Sequence, residues 1–139
     1  WLDLGTPLAF VQGSCDLVRG LAPSPAVANT GEALVLDGAD VAASADVRGG
    51  STIGANAVVS AGAVVDGSVI FDEAIVGDGS DIRGSIIGRG ARIGDGCSLD
   101  GVVVGDGAVV GARNEIREGA RVWPQVAIPD LAIRYSSDA

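Results

Sequence analysis

Residues 70–93 read IFDEAIVGDGSDIRGSIIGRGARI, and one aliphatic side chain recurs every five or six positions along this stretch. The same row continues in both directions, with a step of six except for three fives, which end at Ile70, Ile87 and Val104. A fixed short period of this kind is typical of a solenoid, in which each repeat stacks on the one before. The full row comprises Val35, Val41, Val47, Ile53, Val59, Val65, Ile70, Val76, Ile82, Ile87, Ile93, Leu99, Val104, Val110, Ile116, Val122 and Ile128.

A second row lies two residues before the first, and nearly all of its members are small. A β-strand places residues two apart on the same face, so we expect both rows to point inward. The aliphatic row would fill the middle of the core, and the small row would leave room near the corners. The small row comprises Ala39, Ala45, Ser51, Ala57, Ala63, Ser68, Ala74, Ser80, Ser85, Ala91, Cys97, Val102, Ala108, Asn114, Ala120 and Val126.

Gly, Asp and Asn follow the aliphatic residue in many repeats, as in Gly77-Asp78-Gly79. These residue types favour sharp turns and positive φ angles. Short parallel strands with three corners to a circuit predict an all-β prism of five to six coils over residues 35–128, about 25–30 Å long. A β-sandwich is disfavoured, because it needs longer alternating strands and hairpin turns. The periodicity does not determine the hand of the prism.

The composition narrows the classes of function. The chain has a net charge of -9 and its nine basic residues are all Arg, which argues against nucleic acid and anionic membranes as partners. No stretch reaches the roughly 18 consecutive apolar residues that a membrane span requires. Cys15 and Cys97 stand far apart in different contexts, so we expect no disulfide framework and a reducing, cytoplasmic location.

Residues 1–20 lie outside the repeat and predict one short α-helix ahead of the prism. Thr6 is a suitable N-cap with Pro7 at the first helical position, and Gly20 follows the last turn. The helix would carry its apolar side chains on one face and cover the unpaired strand edges of the first coil. Those side chains are Leu8, Val11, Cys15 and Val18. Residues 21–34 are predicted to form a linker, and residues 129–139 a C-terminal tail.

The opening heptapeptide, Trp1-Leu2-Asp3-Leu4-Gly5-Thr6-Pro7, resembles the W-x-D-(I/V)-G-T-P motif that closes the catalytic domain of the sugar-nucleotide pyrophosphorylases. In that family a left-handed parallel β-helix of hexapeptide repeats commonly follows the motif, after a helix and a short linker. The resemblance therefore implies a left-handed prism, although parallel crossovers are normally right-handed. In more detail the chain is similar to the mannose-1-phosphate guanylyltransferases of actinobacteria. The stretches that carry this similarity are 1–20, 31–38, 121–124 and 133–137.

The resemblance implies that the parent enzyme joins a nucleoside triphosphate to a sugar 1-phosphate, and most specifically GTP to mannose 1-phosphate, giving GDP-mannose. It implies Mg²⁺ as the cofactor, because the metal neutralises crowded phosphates and takes carboxylate oxygens. Asp3 matches the metal-binding carboxylate of the motif and is the candidate metal ligand; the alternative is that Asp3 is a turn or surface residue. A different pair of sugar 1-phosphate and nucleotide stays open, because the selecting residues would lie in the catalytic domain.

We expect this chain to be a C-terminal fragment that contains no catalytic residue and catalyses nothing alone. It has no G-x-G-x-R-x-x-P-L phosphate loop and no Lys. It also has no His, which removes the general base and the three-His zinc site used by other hexapeptide-repeat proteins. An acyltransferase-like protein that relies on other residues is the second hypothesis.

The first hypothesis is an assembly module through which the intact enzyme forms a homo-oligomer. Outward residues such as Val58, Val64, Val109 and Arg113 would pack against another subunit, or would be ordinary exposed β-formers. A regulatory anion site is a further hypothesis, with solvated corner arginines as the alternative. The arginines concerned are Arg48, Arg83, Arg89, Arg92, Arg113, Arg117 and Arg121.

Overall fold

The computed structural model of the chain describes residues 33–117 and 120–133, where every regular element is a β-strand. The helix predicted in residues 1–20, the linker before Ala33 and residues 134–139 lie outside this part of the chain. The strands are β1 (Ala33–Val35), β2 (Asp40–Val41), β3 (Asp46–Arg48), β4 (Ser51–Ile53), β5 (Val58–Val59), β6 (Val64–Asp66), β7 (Val69–Ile70), β8 (Ile75–Val76), β9 (Asp81–Arg83), β10 (Ile86–Ile87), β11 (Arg92–Ile93), β12 (Ser98–Asp100), β13 (Val103–Val104), β14 (Val109–Val110), β15 (Glu115–Ile116), β16 (Arg121–Val122) and β17 (Ala127–Ile128). No helix of the described part is long and apolar enough to cross a membrane.

The strands form three parallel sheets, named here the A, B and C sheets, which are the sides of a solenoid. The strand orders are β1-β4-β7-β10-β13-β16 for A, β2-β5-β8-β11-β14-β17 for B and β3-β6-β9-β12-β15 for C. Each strand pairs with the strand three places later, so three strands make one coil and the chain completes about six coils. The predicted all-β parallel solenoid is confirmed, whereas its left hand stays a prediction.

The strand register stacks equivalent residues of the repeat on one another. Ile87 in the A sheet pairs with Ile70 on one side and with Val104 on the other, and Leu99 in the C sheet pairs with Ile82. Equivalent residues in the middle coils are 17 positions apart, as in the bond that joins residues 51 and 68. The two inward rows read from the sequence are therefore columns that run along the prism axis.

The five-residue steps of the repeat fall at the corner between the C and A sheets. One glycine with positive φ makes this turn in three successive coils. These glycines are Gly67 (57°), Gly84 (53°) and Gly101 (67°). A residue with a Cβ rarely adopts this backbone, so glycine allows a corner that is one residue shorter than the other two.

Both predicted inward rows form the core. Ile70, Ile82 and Ile87 have no exposed surface, and burial of each such side chain stabilises the fold by about 1.5–3 kcal/mol. The buried polar side chains all belong to the small row, near the corners, where backbone groups are within reach. They are Ser51, Ser68, Ser80, Ser85 and Asn114.

The coil pattern extends on both sides of the predicted range 35–128. Strand β1 begins at Ala33, two residues earlier. At the other end Ile133 packs against the core, its N–H donates to Asn114 Oδ1 at 2.7 Å, and its carbonyl accepts the N–H of Glu115 at 2.7 Å. The first five residues of the predicted tail thus continue the solenoid over the end of the C sheet.

Candidate functional site

The candidate metal ligand Asp3 lies outside the described residues, so its role stays a prediction. Within residues 33–117 and 120–133, no group of three or more His, Cys, Asp or Glu side chains is placed to hold a metal ion. The search for chemistry in this part of the chain therefore turns to its interior columns and its three outer faces.

A column of serines runs along the tight corner inside the prism. The Ser68 N–H donates to Ser51 Oγ at 3.0 Å, the Ser85 N–H donates to Ser68 Oγ at 3.1 Å, and the Val102 N–H donates to Ser85 Oγ at 3.0 Å. Each hydroxyl in turn donates to a carbonyl two or three residues earlier at the same corner: Arg48 at 2.7 Å, Asp66 at 3.0 Å and Arg83 at 2.8 Å. These hydroxyls are buried and fully hydrogen-bonded, so they stabilise the corner and are not nucleophiles.

Cys97 occupies the equivalent interior position at the corner between the B and C sheets. Its side chain is 1% exposed, its N–H donates to Ser80 Oγ at 3.1 Å, and its thiol donates to the Gly111 carbonyl at 3.0 Å. Burial raises the pKa of the thiol, which keeps it protonated and unreactive near neutral pH. Cys97 is a small core residue, as its place in the inward row predicts.

The C face carries a column of alternating charge just outside the tight corner. Its members are Arg48, Asp66, Arg83, Asp100 and Arg117. Asp66 Oδ2 lies 3.4 Å from Arg48 Nε and 3.5 Å from a terminal nitrogen of Arg83, so one carboxylate serves two guanidinium groups. Arg83 Nε also donates to Asp81 Oδ1 at 2.9 Å, and this hydrogen bond raises the pKa of Arg83.

The arginines proposed for an anion site do not converge. Arg48 and Arg83 share the C face and pair with carboxylates there, whereas Arg92 lies in β11 on the B face and Arg121 in β16 on the A face. Arg113 occupies a corner with a φ of 61°. The fold therefore does not assemble the seven candidate arginines into one anion-binding cluster.

The B face has a shallow depression of about 430 Å³ beside the corner that leads to the C sheet. The backbone of Gly77, Gly94 and Gly111 contributes to its lining, and Asp95 and Asp130 lie at its side. Both carboxylates bond the backbone of the preceding coil: Asp95 Oδ1 accepts the Asp78 N–H at 2.9 Å, and Asp130 Oδ1 accepts the Ala112 N–H at 2.7 Å. The acidic groups hold the corner together and are not arranged around a ligand.

The A face is the outer surface without charge over its first five strands. Its outward residues there are Leu34, Thr52, Val69, Ile86 and Val103. The outward residues proposed for subunit packing do not lie on it: Val58 and Val109 belong to the B face and Val64 to the C face. The uncharged A face could have been recognised in the sequence. Its five outward residues stand directly before the inward aliphatic residue in every third repeat, and none of them is charged.

Three comparisons place the chain among known proteins. The model of the GMPPB C-terminal domain matches residues 29–137. A mannose-1-phosphate guanylyltransferase of Mycobacterium tuberculosis (strain ATCC 25618 / H37Rv) is 56% identical over 139 residues, which is 99% of this chain and 39% of that protein. The chain thus spans well under half the length of this relative.

Two solved structures resemble the chain in fold. Both are variants of the GDP-perosamine N-acetyltransferase of Caulobacter crescentus in complex with CoA and GDP-perosamine. Each match covers 91% of this chain and 67% of the acetyltransferase chain. The TM-scores are 0.56 and 0.55, and the sequence identities are 22% and 21%. At this level of identity the likeness concerns the β-solenoid alone.

Proposed function

The chain belongs to the family of GMPPB C-terminal domains, and from that membership we propose that it is the β-helix portion of a mannose-1-phosphate guanylyltransferase. The observation that carries this proposal is the 56% identity over the whole chain with a guanylyltransferase of which it matches 39%. The proposed reaction joins mannose 1-phosphate to GTP and releases pyrophosphate. The free, buried Cys97 fits a reducing compartment, and we place the reaction in the cytoplasm.

The proposed division of labour follows from the described residues. Their buried polar groups are satisfied, Asp66 pairs with Arg48 and Arg83 on the C face, and the arginines do not converge. The nucleotide and the sugar phosphate would therefore bind to the part of the enzyme that precedes the prism. Asp3 is proposed to hold Mg²⁺ there, since a carboxylate oxygen is a preferred ligand of this ion. The ion would neutralise phosphate charge as pyrophosphate leaves.

The experiment is a product assay on the longer polypeptide that contains this chain. With Mg²⁺, GTP and mannose 1-phosphate we expect GDP-mannose and pyrophosphate, and we expect the Asp3→Asn variant to require more Mg²⁺. The 139-residue chain alone is expected to form neither product. A longer polypeptide that prefers another sugar 1-phosphate or nucleotide would overturn the assignment to mannose and guanine.

We further propose that the intact enzyme is a homo-oligomer that uses the uncharged A face. The five uncharged strands at about 4.8 Å and a side of about 16 Å give this face roughly 400 Å². A stable interface buries about 800 Å² on each partner, so the A face supplies about half and the preceding part the rest. Light scattering on the intact enzyme tests this: Ile86→Glu on the A face is expected to reduce the oligomeric mass, and Ser98→Glu on the C face to leave it unchanged.

A further inference from the structure

The first coil leaves the interior of the prism open along the axis. Val35 is 38% exposed, and Val41 and Val47 are only partly buried, although all three belong to the inward aliphatic row. The equivalent residues one coil later are buried: Ile53 (0%), Val59 (1%) and Val65 (0%). The first coil therefore presents an apolar surface at the end of the prism, formed by residues that are core in every middle coil.

The backbone of the first coil also has an unpaired side. Among the strands of residues 33–117 and 120–133, β1, β2 and β3 stand at the ends of their sheets and pair with the coil that follows. The Asp40 N–H donates to the Ala57 carbonyl at 2.8 Å, and the Ala42 N–H donates to the Val59 carbonyl at 2.9 Å. Opening of the first coil breaks these bonds, so their lifetime reports whether something covers this end.

The segment of the polypeptide that precedes Ala33 is the candidate to cover this open end. The chain enters the solenoid at Ala33, in the first coil, after 32 residues that include the apolar stripe of Leu8, Val11, Cys15 and Val18. Residues 21–32 reach about 40 Å when extended, which is enough to return the stripe to any point of the prism end. At 1.5 Å per residue the predicted helix separates Leu8 and Val18 by about 15 Å, close to the length of one side of the prism.

We propose that the segment from Leu8 to Val18 lies across the open first coil and buries Val35, Val41 and Val47. This contact goes beyond the proposed function, because it holds whichever nucleotide sugar the enzyme makes. The contact would hold the segment from Leu8 to Val18 against the prism through packed side chains, in addition to the covalent connection through the linker.

Hydrogen exchange of the 139-residue chain tests the contact. Val11→Asp places a carboxylate in the proposed contact, and we expect exchange of the Asp40 and Ala42 amides to accelerate by roughly tenfold or more. Amides of β11 to β14 serve as the internal reference and are expected to keep their rates, which shows that the variant is folded. Gln12→Asp adds the same charge next to the stripe and is expected to change neither set.

Cross-linking gives a second measurement that needs no destabilised variant. Cys15 lies in the stripe, so Val41→Cys is expected to form an intramolecular disulfide with it under mild oxidation, seen as a loss of two mass units and a linked peptide. Ser98→Cys, on the exposed C face, is the control and is expected to form none. Unchanged exchange in Val11→Asp, or equal cross-linking by both introduced thiols, would overturn the proposal.

Discussion

The N–H of Ser85 donates a hydrogen bond to the hydroxyl of Ser68, 3.1 Å away in the preceding coil. The same hydroxyl donates to the carbonyl of Asp66 at 3.0 Å, so one buried oxygen joins two coils at the tight corner. Neither Ser68 nor Ser85 has more than 1% of its surface exposed. Water therefore cannot replace this bond in the folded protein.

Replacement of Ser68 by Ala is expected to destabilise the fold. It leaves the buried N–H of Ser85 without its acceptor, and an unsatisfied buried group costs about 1–3 kcal/mol. Urea unfolding followed by circular dichroism measures the change, with Ser98→Ala on the exposed C face as the control. Equal stability of the two variants would show that the corner relaxes to satisfy the Ser85 amide in another way.

Glu73 and Gly90 form a matched pair at the same corner of successive coils. Both have positive φ, 65° for Glu73 and 67° for Gly90, and no atom lies within 4 Å of a Cβ added to Gly90. A left-handed residue with a Cβ costs about 1–2 kcal/mol, partly offset by the chain entropy that glycine loses on folding. Glu73→Gly is therefore expected to stabilise the fold by about 0.5–1 kcal/mol, and Gly90→Ala to destabilise it similarly. Thermal unfolding of the two variants checks the opposite signs.

The stability of the fold is expected to fall at alkaline pH because of Cys97. Burial raises the pKa of this thiol in the folded state, so above the ordinary thiol pKa of about 8.5 the unfolded chain loses the proton first. The folded state then binds more protons than the unfolded state, and the free energy of unfolding decreases as pH rises. Urea unfolding between pH 7 and 10 measures this slope, which is expected to be shallower in Cys97→Ala.

The ion pairs around Asp66 are expected to contribute little to stability. They lie at the surface, where solvent screens the charges and the long side chains lose freedom on pairing. Asp66→Asn should therefore cost less than Ser68→Ala, and its effect should shrink further in 1 M salt. A loss of stability as large as that of Ser68→Ala, and insensitive to salt, would contradict this prediction.

The interior of the fold could be predicted from the sequence, because each core position repeats within six residues and is constrained to be aliphatic or small. The three five-residue steps fall at the tight corner where Gly67 and Gly84 turn the chain, but the sequence did not single out this corner. The arrangement of residues on the outer faces was harder to predict. Their residues meet neighbours 17 positions away and are free to be polar or apolar, so only the structure shows that Val58 belongs to the B face and Val64 to the C face.

The contact of Ile133 with the core was also not predicted. Ile133 stacks on Asn114 at a spacing of 19 residues, whereas equivalent residues of the middle coils lie 17 apart, so the repeat gave no signal for it. Its hydrogen bonds with Asn114 and Glu115 place it over the C sheet. The arginine pairs on the C face were equally hidden, since Arg48 and Asp66 become neighbours only when the coils stack.

The alternating column on the C face repeats every second coil, whereas the backbone repeats every coil. Duplication of one 17-residue coil would fit the backbone, yet it would set two arginines or two aspartates side by side at 4.8 Å or so, where like charges on neighbouring strands repel. Duplication of two coils would keep the signs in order. The core would accept a prism longer or shorter by any number of coils. The charged column on the C face would keep its alternation only if the prism gained or lost an even number of coils.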